Sequence, residues 1–326
     1  HHTVHECSDG EDRFIADIAA AVRQGGYDIV FCAYELGLLA LSRRRAEIAP
    51  ALWPYASPEV VARAFDKLEL FHAAQAAGLH APHTEPATAQ ALQAWRGPVV
   101  VKARNHVPKR FDTGLFASAE QGRALATQIS AQGGEPLLQA PLSGRMGAVI
   151  VVVGRDGEIV GEIHQEATHT WPPGAGDTVR GVVVAPDRDL SRGVRALVGN
   201  LGWFGLAQIE FVRDQDGTPT ITDFNGRFYG SMALATGAGA NLPALWASLA
   251  LGLADAPAAL ARPGARFQWL NRDLAAGSVS GPRGVLGALA LAPFAAHSMW
   301  DPRDPLPAIR YLAPEGLRRL RARLGD

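Results

Sequence analysis

Two acids, an amide and an arginine fall within one short stretch of this chain, on what reads as a β-hairpin. Its first arm is Gly205-Leu-Ala-Gln-Ile-Glu-Phe-Val-Arg213 and its second runs from Thr220 to Arg227, with Asp216-Gly217 as the turn. Strand side chains alternate faces, so Gln208 and Glu210 share one face of the first arm. Ile221, Asp223 and Asn225 are expected to share one face of the second. A turn centred between Asp216 and Gly217 sets Glu210 opposite Asp223. Two carboxylates so placed repel unless a cation lies between them. With the amide oxygen of Asn225 they make an all-oxygen set suited to Mg²⁺ or Mn²⁺. Arg227, two residues further on, would put a guanidinium beside that metal, the combination that receives phosphates. The plainer alternative is a solvated strand pair with scattered acids, and Arg227 weighs against it.

A second set of cations precedes the hairpin. Lys102 ends the apolar strand Pro98–Ala103 and is followed by Arg104, His106, Lys109 and Arg110. A lysine leaving a buried strand can place one ammonium on a phosphate, although a lysine at a strand exit more often only reaches for solvent. His164 and His169 have no cysteine or third ligand at metal-type spacing and read as ordinary histidines.

The run Asp223-Phe-Asn225-Gly226-Arg227, with Glu210 on the partner strand, resembles the metal-binding strands of the ATP-grasp ligases, whose usual run is Glu-x-Asn-Pro-Arg. Phe228 to Pro243, His169 to Arg180 and Trp300 to Pro307 resemble a subgroup of predicted carboxylate–amine ligases of that superfamily, and the likeness extends from about residue 27 to residue 307. The resemblance implies the ATP-grasp fold, ATP with Mg²⁺ (or Mn²⁺), and small carboxylate and amine substrates. It implies that Glu210, Asp223 and Asn225 hold the metal, that Lys102 and the Lys67 of Asp66-Lys67 bind phosphates, and that Arg227 acts on the transferred phosphoryl group. It places the adenine against Gln139, Ala140 and Leu142, and makes Arg180 a candidate for the substrate carboxylate. Ser231 would line an acceptor pocket or serve as a plain loop serine. The chain departs from the pattern at Gly226, where proline is usual, and at Gln139 and Met146, where glutamates for the ribose are usual. It also has Arg104-Asn-His-Val-Pro-Lys-Arg110 where many relatives carry a glycine-rich loop, so cationic side chains would stand in for backbone amides. Alternative readings are an ATP-grasp ligase or kinase with a non-amine acceptor, or a nucleotide-binding protein without catalysis.

The elements that must position these residues alternate as in an α/β or α+β chain. Helical spacing runs from Glu11 to Gln24, and Tyr27–Cys32 reads as a buried parallel strand. A helix over about 36–48 follows, and Ser57-Pro58-Glu59 opens another that is expected to continue to about Gly78. Ser118-Ala-Glu-Gln121 is a capping box, Leu137–Leu142 a strand, and Val149–Glu162 a second hairpin turned at Gly154–Gly157. The expected divisions are an N-terminal Rossmann-like domain at 1–57, incomplete because its usual opening strand and helix are missing, a lid at 58–142, a catalytic subdomain at 143–262 and an extension at 263–326.

At 326 residues with 48% hydrophobic and 19% charged composition, the chain suits two or three subdomains. A net charge of −1 marks neither nucleic acid nor a membrane as a partner. Two cysteines, Cys7 and Cys32, make no disulfide framework, and no apolar run reaches membrane-spanning length or resembles a signal peptide, so a cytoplasmic setting is expected. The oligomeric state is not set by the sequence; a homodimer is one option.

Overall fold

The computed structural model describes residues 2–105, 113–172, 176–253, 260–301 and 304–310. The chain opens with α1 (Glu11–Gly25), α2 (Glu35–Arg43), α3 (Pro58–Phe65) and α4 (Lys67–Ala76). Then come β1 (Thr84–Pro86), α5 (Ala89–Ala94), β2 (Val99–Ala103), β3 (Gly114–Phe116), α6 (Ala119–Ala131) and β4 (Pro136–Gln139). Long strands follow: β5 (Arg145–Val153), β6 (Ile159–Trp171) and β7 (Asp177–Val184), then α7 (Arg188–Leu201), β8 (Gly205–Arg213) and β9 (Pro219–Asn225). The last elements are α8 (Met232–Gly237), α9 (Leu242–Leu251), β10 (Arg266–Gln268), α10 (Leu270–Val279), α11 (Pro282–Leu291) and β11 (Ala296–His297). Two compact units result, one of His1–Gln165, Val184–Tyr229 and Ala240–Leu260, the other of Glu166–Val183, Gly230–Gly239 and Ala261–Asp326.

In the first unit a small antiparallel sheet is ordered β1-β4-β2-β3. Period-two alternation turns Val99 and Val101 into a core with Ala119, Ala126 and Ile129 of α6. Val100 and Lys102 therefore take the opposite face. Their cross-strand partners are Gln139 and Leu137, so Gln139 and Lys102 share that face.

The longer strands of this unit run in the order β6-β5-β8-β9. β5 and β8 pair antiparallel from Arg145↔Arg213 to Val153↔Gly205, and Val149 to Val152 are wholly buried. Such a continuous apolar run suits a strand covered on both faces. Helix α7 buries Leu190, Val194, Leu197 and Leu201, at the spacing of one helical face. Asp187 caps its first turn and Gly202, at φ +70°, closes its last. Trp246 of α9 is fully buried, donates to the Pro54 carbonyl at 3.0 Å and lies over the start of β8. Gly205 there has φ +98°, and a Cβ would stand 2.7 Å from the indole nitrogen, so both backbone and space require glycine.

In the second unit β7 pairs antiparallel with β10, and β10 parallel with β11. Helices α10 and α11 approach closely at Gly277 and Gly284, where an added Cβ on Gly277 would meet the Gly284 carbonyl carbon at 2.8 Å.

Several expectations change. Tyr27–Cys32 forms no strand; Ile29 makes one isolated parallel bridge to Leu52, because a parallel strand needs a neighbour and only this short segment is beside it. The helix expected from Pro58 to Gly78 breaks at Asp66, whose extended backbone ends α3 and whose carboxylate caps Leu68 and Glu69 of α4. The helix expected over 36–48 ends at Arg43 and continues only as a 3₁₀ turn, Arg45–Ile48. The strand from Leu137 stops at Gln139. Ser118 caps α6 as expected, but Gln121 returns its side-chain oxygen to the Ala117 N–H. Among the described residues, no helix is long and apolar enough to cross a membrane.

Candidate active site

Glu210 and Asp223 are cross-strand partners in the β8–β9 pair, and Gln208 is the partner of Asn225. The register arises by a route the alternation alone does not show. The turn is tighter than expected: Asp214 accepts from the Gly217 N–H at 3.2 Å and donates to the Thr218 carbonyl at 3.1 Å, with Gly217 at φ +85°. It pairs Phe211 with Ile221. An irregularity between Glu210 and Phe211 leaves Thr222 without an opposite residue and restores Glu210 to Asp223. Ile221 consequently lies on Phe211's face, not on Asp223's as the alternation implied.

Around the acids the polar atoms interlock. The Asn225 side-chain nitrogen donates to Glu210 Oε1 at 3.1 Å and to Gln208 Oε1 at 3.3 Å, and its oxygen accepts from Arg227 Nη2 at 2.8 Å. Strand β9 ends at Asn225, so Arg227 reaches this point from the segment after the strand and not as the next residue on its face. Arg227 Nη1 also donates to the Phe228 carbonyl, and Nη2 lies 3.8 Å from Glu35 at the start of α2. Its Nε is buried with no partner.

Lys102 is buried on the face of β2 away from α6, with Nζ 5.0 Å from the ring centre of Phe71 in α4. Burial pulls its ammonium down to about 8, opposed by Asp223 and Glu210 and reinforced by Lys67. For Asp223, burial works upward, but Lys67 and Lys102 outweigh it and hold the carboxyl below its ordinary value. Glu210 is raised, by burial first and by Asp223 second. Asp223 is acted on by Lys67, Lys102 and Arg227, and Glu210 by Asp223, Arg227 and Glu35, so these side chains form one electrostatic cluster. Lys67 is brought there by Arg104, which donates to Asp66 at 2.8 and 2.9 Å while its carbonyl accepts from the Lys67 N–H at 3.2 Å. Arg104 is also paired with Glu135 at 2.9 Å, so its guanidinium is committed to two carboxylates and braces the start of α4 at Lys67. His106, Lys109 and Arg110 lie outside the described residues.

A hard divalent cation fits this donor set. Two half-buried carboxylates face each other, one raised toward its neutral form by desolvation first and by the other acid second, and the amide oxygen of Gln208 and the amide group of Asn225 are beside them. No set of three or more His, Cys, Asp or Glu side chains placed for a metal occurs among the described residues, so the candidate centre is two acids completed by amides. Asn225 presents its nitrogen to Glu210, and metal ligation through its oxygen requires the amide to turn over.

The remaining sequence candidates lie as follows. Gln139 is buried and donates to Thr84 Oγ1 at 2.9 Å. The Ala140 N–H is taken by the His83 carbonyl at 2.8 Å, and Leu142 is exposed. In the second unit, Arg180 Nε donates to Asp273 at 2.7 Å, and Ser231 is buried just before α8. His164 is buried against Glu162 at 2.8 Å and Ser191 at 3.2 Å, a structural arrangement that holds Glu162 below its ordinary carboxylate range. Sequence reasoning missed Gln208, Glu35 and Phe71. Gln208 had a signal, since it shares Glu210's face; Glu35 and Phe71 had none, because only folding brings helices to the hairpin.

No family model matches the chain, and no curated protein matches it. Solved structures do. L-amino acid ligase from Bacillus licheniformis is 16% identical at a TM-score of 0.60, over 79% of this chain and 65% of that one. The biotin carboxylase domain of Hydrogenobacter thermophilus 2-oxoglutarate carboxylase is 14% identical at 0.63, over 78% of this chain and 61% of that one. N5-carboxyaminoimidazole synthetase from Staphylococcus aureus is 14% identical at 0.61, over 81% and 72%. The chain has the ATP-grasp fold. It spans less than two thirds of the first two of these proteins. Within the ATP-grasp fold the acid pair, the lysines and Arg227 all belong to the first unit, and Arg180 and Ser231 to the second.

Proposed function

We propose that this chain is an ATP-dependent carboxylate–amine ligase. The observation that carries the reading is the half-buried Glu210–Asp223 pair, set face to face and influenced by Lys67, Lys102 and Arg227. Two half-buried acids held face to face, with three cations acting on them, are costly to assemble without a ligand. MgATP answers both demands, with the metal on the acids and the phosphates on the cations. The biotin carboxylase domain named above was crystallised with MgADP and bicarbonate, and the Bacillus licheniformis protein is an amino acid ligase, which supports the assignment.

In this reading Glu210, Asp223 and Asn225 hold Mg²⁺, which neutralises charge as the γ-phosphoryl group moves. Lys102 and Lys67 bind the phosphates. The adenine lies along Gln139, Ala140 and Leu142, with the Ala140 carbonyl as acceptor because its N–H is already bonded. Segment 58–142 is the lid. The γ-phosphoryl group passes to the substrate carboxylate, releasing ADP and giving an acyl phosphate; the amine attacks its carbonyl carbon, phosphate leaves and the amine loses a proton, while Arg227 stabilises the transferred phosphoryl and the oxyanion. Arg180 holds the substrate carboxylate.

The test is ADP and phosphate release by the full chain with MgATP against a matrix of carboxylic acids and amines. Release that requires one of each supports the ligase. Release with the acid alone, at full rate, indicates a non-amine acceptor. Tight MgATP binding with no release under any combination would overturn catalysis.

A further inference from the structure

The second unit contains a cavity of about 340 Å³ lined by Thr168, Arg180, Gly181, Val182, Arg266, Phe267 and Leu291, a volume in the range that holds small ligands. Pairing of β7 with β10 sets Arg180 against Gln268 and Val182 against Arg266. Cross-strand partners share a face, and residues two apart along a strand do too, so Arg180, Val182, Arg266 and Gln268 all lie on one side of the pair. Two guanidiniums thus serve one cavity, a diagonal step apart.

Their states differ. Arg180 is anchored: Nε donates at 2.7 Å to Asp273, which is wholly buried, and Gln268 Nε2 donates to the same carboxylate oxygen at 2.6 Å. Gln268 is itself wholly buried and tied to the Ala288 carbonyl at 2.7 Å, so the bracing runs from α10 through β10 to α11. Asp273 neutralises Arg180 and fixes its plane, leaving its two terminal nitrogens as a fork. Arg266 is exposed, and no carboxylate pairs with it among the described residues. The cavity therefore carries one uncompensated positive charge. Val182 and Leu291 supply apolar wall, Thr168 a hydroxyl, and no acidic side chain lines the space.

We propose that this cavity binds a monocarboxylic acid with a short apolar substituent and no α-amino group, with Arg180 as the orienting fork and Arg266 as the residue that selects for the single negative charge. One net charge suits a carboxylate better than a dicarboxylate or phosphate. An ammonium would meet two arginines and no acid. The inference deepens the ligase reading, since such an acid is the substrate that reading requires.

The experiment measures binding to the full chain by calorimetry, without nucleotide, using isovalerate, isovaleramide, leucine, glutarate and inorganic phosphate. Isovalerate should bind, and the amide and leucine should bind about tenfold or more weakly, the loss expected for one missing charge-assisted contact. Arg266→Gln, at an exposed position, should weaken isovalerate by about tenfold or more with melting temperature unchanged. Arg283→Gln, exposed at the start of α11, should change nothing. Arg180→Gln would leave Asp273 buried and unpaired, so it is combined with Asp273→Asn, and the pair should also lose binding. Equal or tighter binding of phosphate, glutarate or leucine, or unchanged affinity in Arg266→Gln, would overturn the proposal. Isovalerate binding without any acid-dependent ADP release would sink the ligase reading and leave the site standing. Release with other acids but no isovalerate binding would do the reverse.

Discussion

Glu210 faces Asp223 because Thr222 is left without an opposite residue in β9; without that irregularity the tight turn would set Glu210 against Thr222. The bulge thus puts two acids together, and the fold bears their repulsion. Glu210→Gln should leave the metal-free melting temperature unchanged or higher, since it removes one of two opposed half-buried charges. It should abolish the rise in melting temperature that Mg²⁺ gives the parent and lower turnover by roughly 100-fold or more, the several kcal/mol a metal supplies to transition-state charge. An undiminished Mg²⁺-dependent rise would remove Glu210 from the metal centre.

Arg227 is held by the Asn225 amide and the Phe228 carbonyl, with a buried Nε that has no partner. Arg227→Ala should lower kcat by roughly 100-fold or more, the scale of losing one oxyanion donor, with ATP KM little changed. Lysine should rescue poorly, because a point charge cannot reproduce the fork. If thermal stability falls while turnover per folded molecule is kept, Arg227 only holds the strand end.

Lys102 gives a pH signature. In the nucleotide-free protein its ammonium is held at about 8 by burial, so most of it is charged at pH 7 and little at pH 9. Nucleotide affinity should fall across that interval, and Lys102→Met should bind weakly with no such fall. The stability sign is opposite to that of a paired lysine. Between about 8 and its ordinary value of 10.5 the unfolded chain binds more protons, so stability rises with pH. Lys102→Met should be the more stable protein at pH 7 by on the order of 3 kcal/mol, an advantage that shrinks above pH 8. Parallel denaturant curves for the two proteins at pH 7 and pH 10 check this.

Gly226 stands where proline is usual in the resembling ligases, and Trp203 occupies the space. A Cβ on Gly226 would lie 2.2 Å from the indole edge, and Trp203 is itself buried against Phe224 and Phe65. Gly226→Ala should destabilise by about 1–3 kcal/mol through overpacking. Trp203→Leu in the same chain should recover part of that loss. A neutral single variant, read by urea midpoint, would contradict the packing.

Where chemistry depends on side chains spaced along one strand, the sequence by itself was sufficient. Period-two alternation put Gln208 with Glu210 and Asp223 with Asn225, because the pleat is a property of the backbone, and failed at Ile221 where the bulge interrupts it. The caps at Ser57 and Ser118 are also local and legible, as each answers unpaired N–H groups within a few residues, whereas the break at Asp66 inside an expected helix was not read. Tertiary structure alone decided the rest. It set the one-residue slip at Thr222, since turn geometry and packing choose between registers that share one hydrophobic pattern. It reduced Tyr27–Cys32 to a bridge, because a strand exists only with a partner. It committed Arg104 to Asp66 across 38 residues and Arg180 to Asp273 across 93, giving each arginine a carboxylate partner. Pairings at such separation depend on which charges folding removes from water together, and no local spacing encodes that.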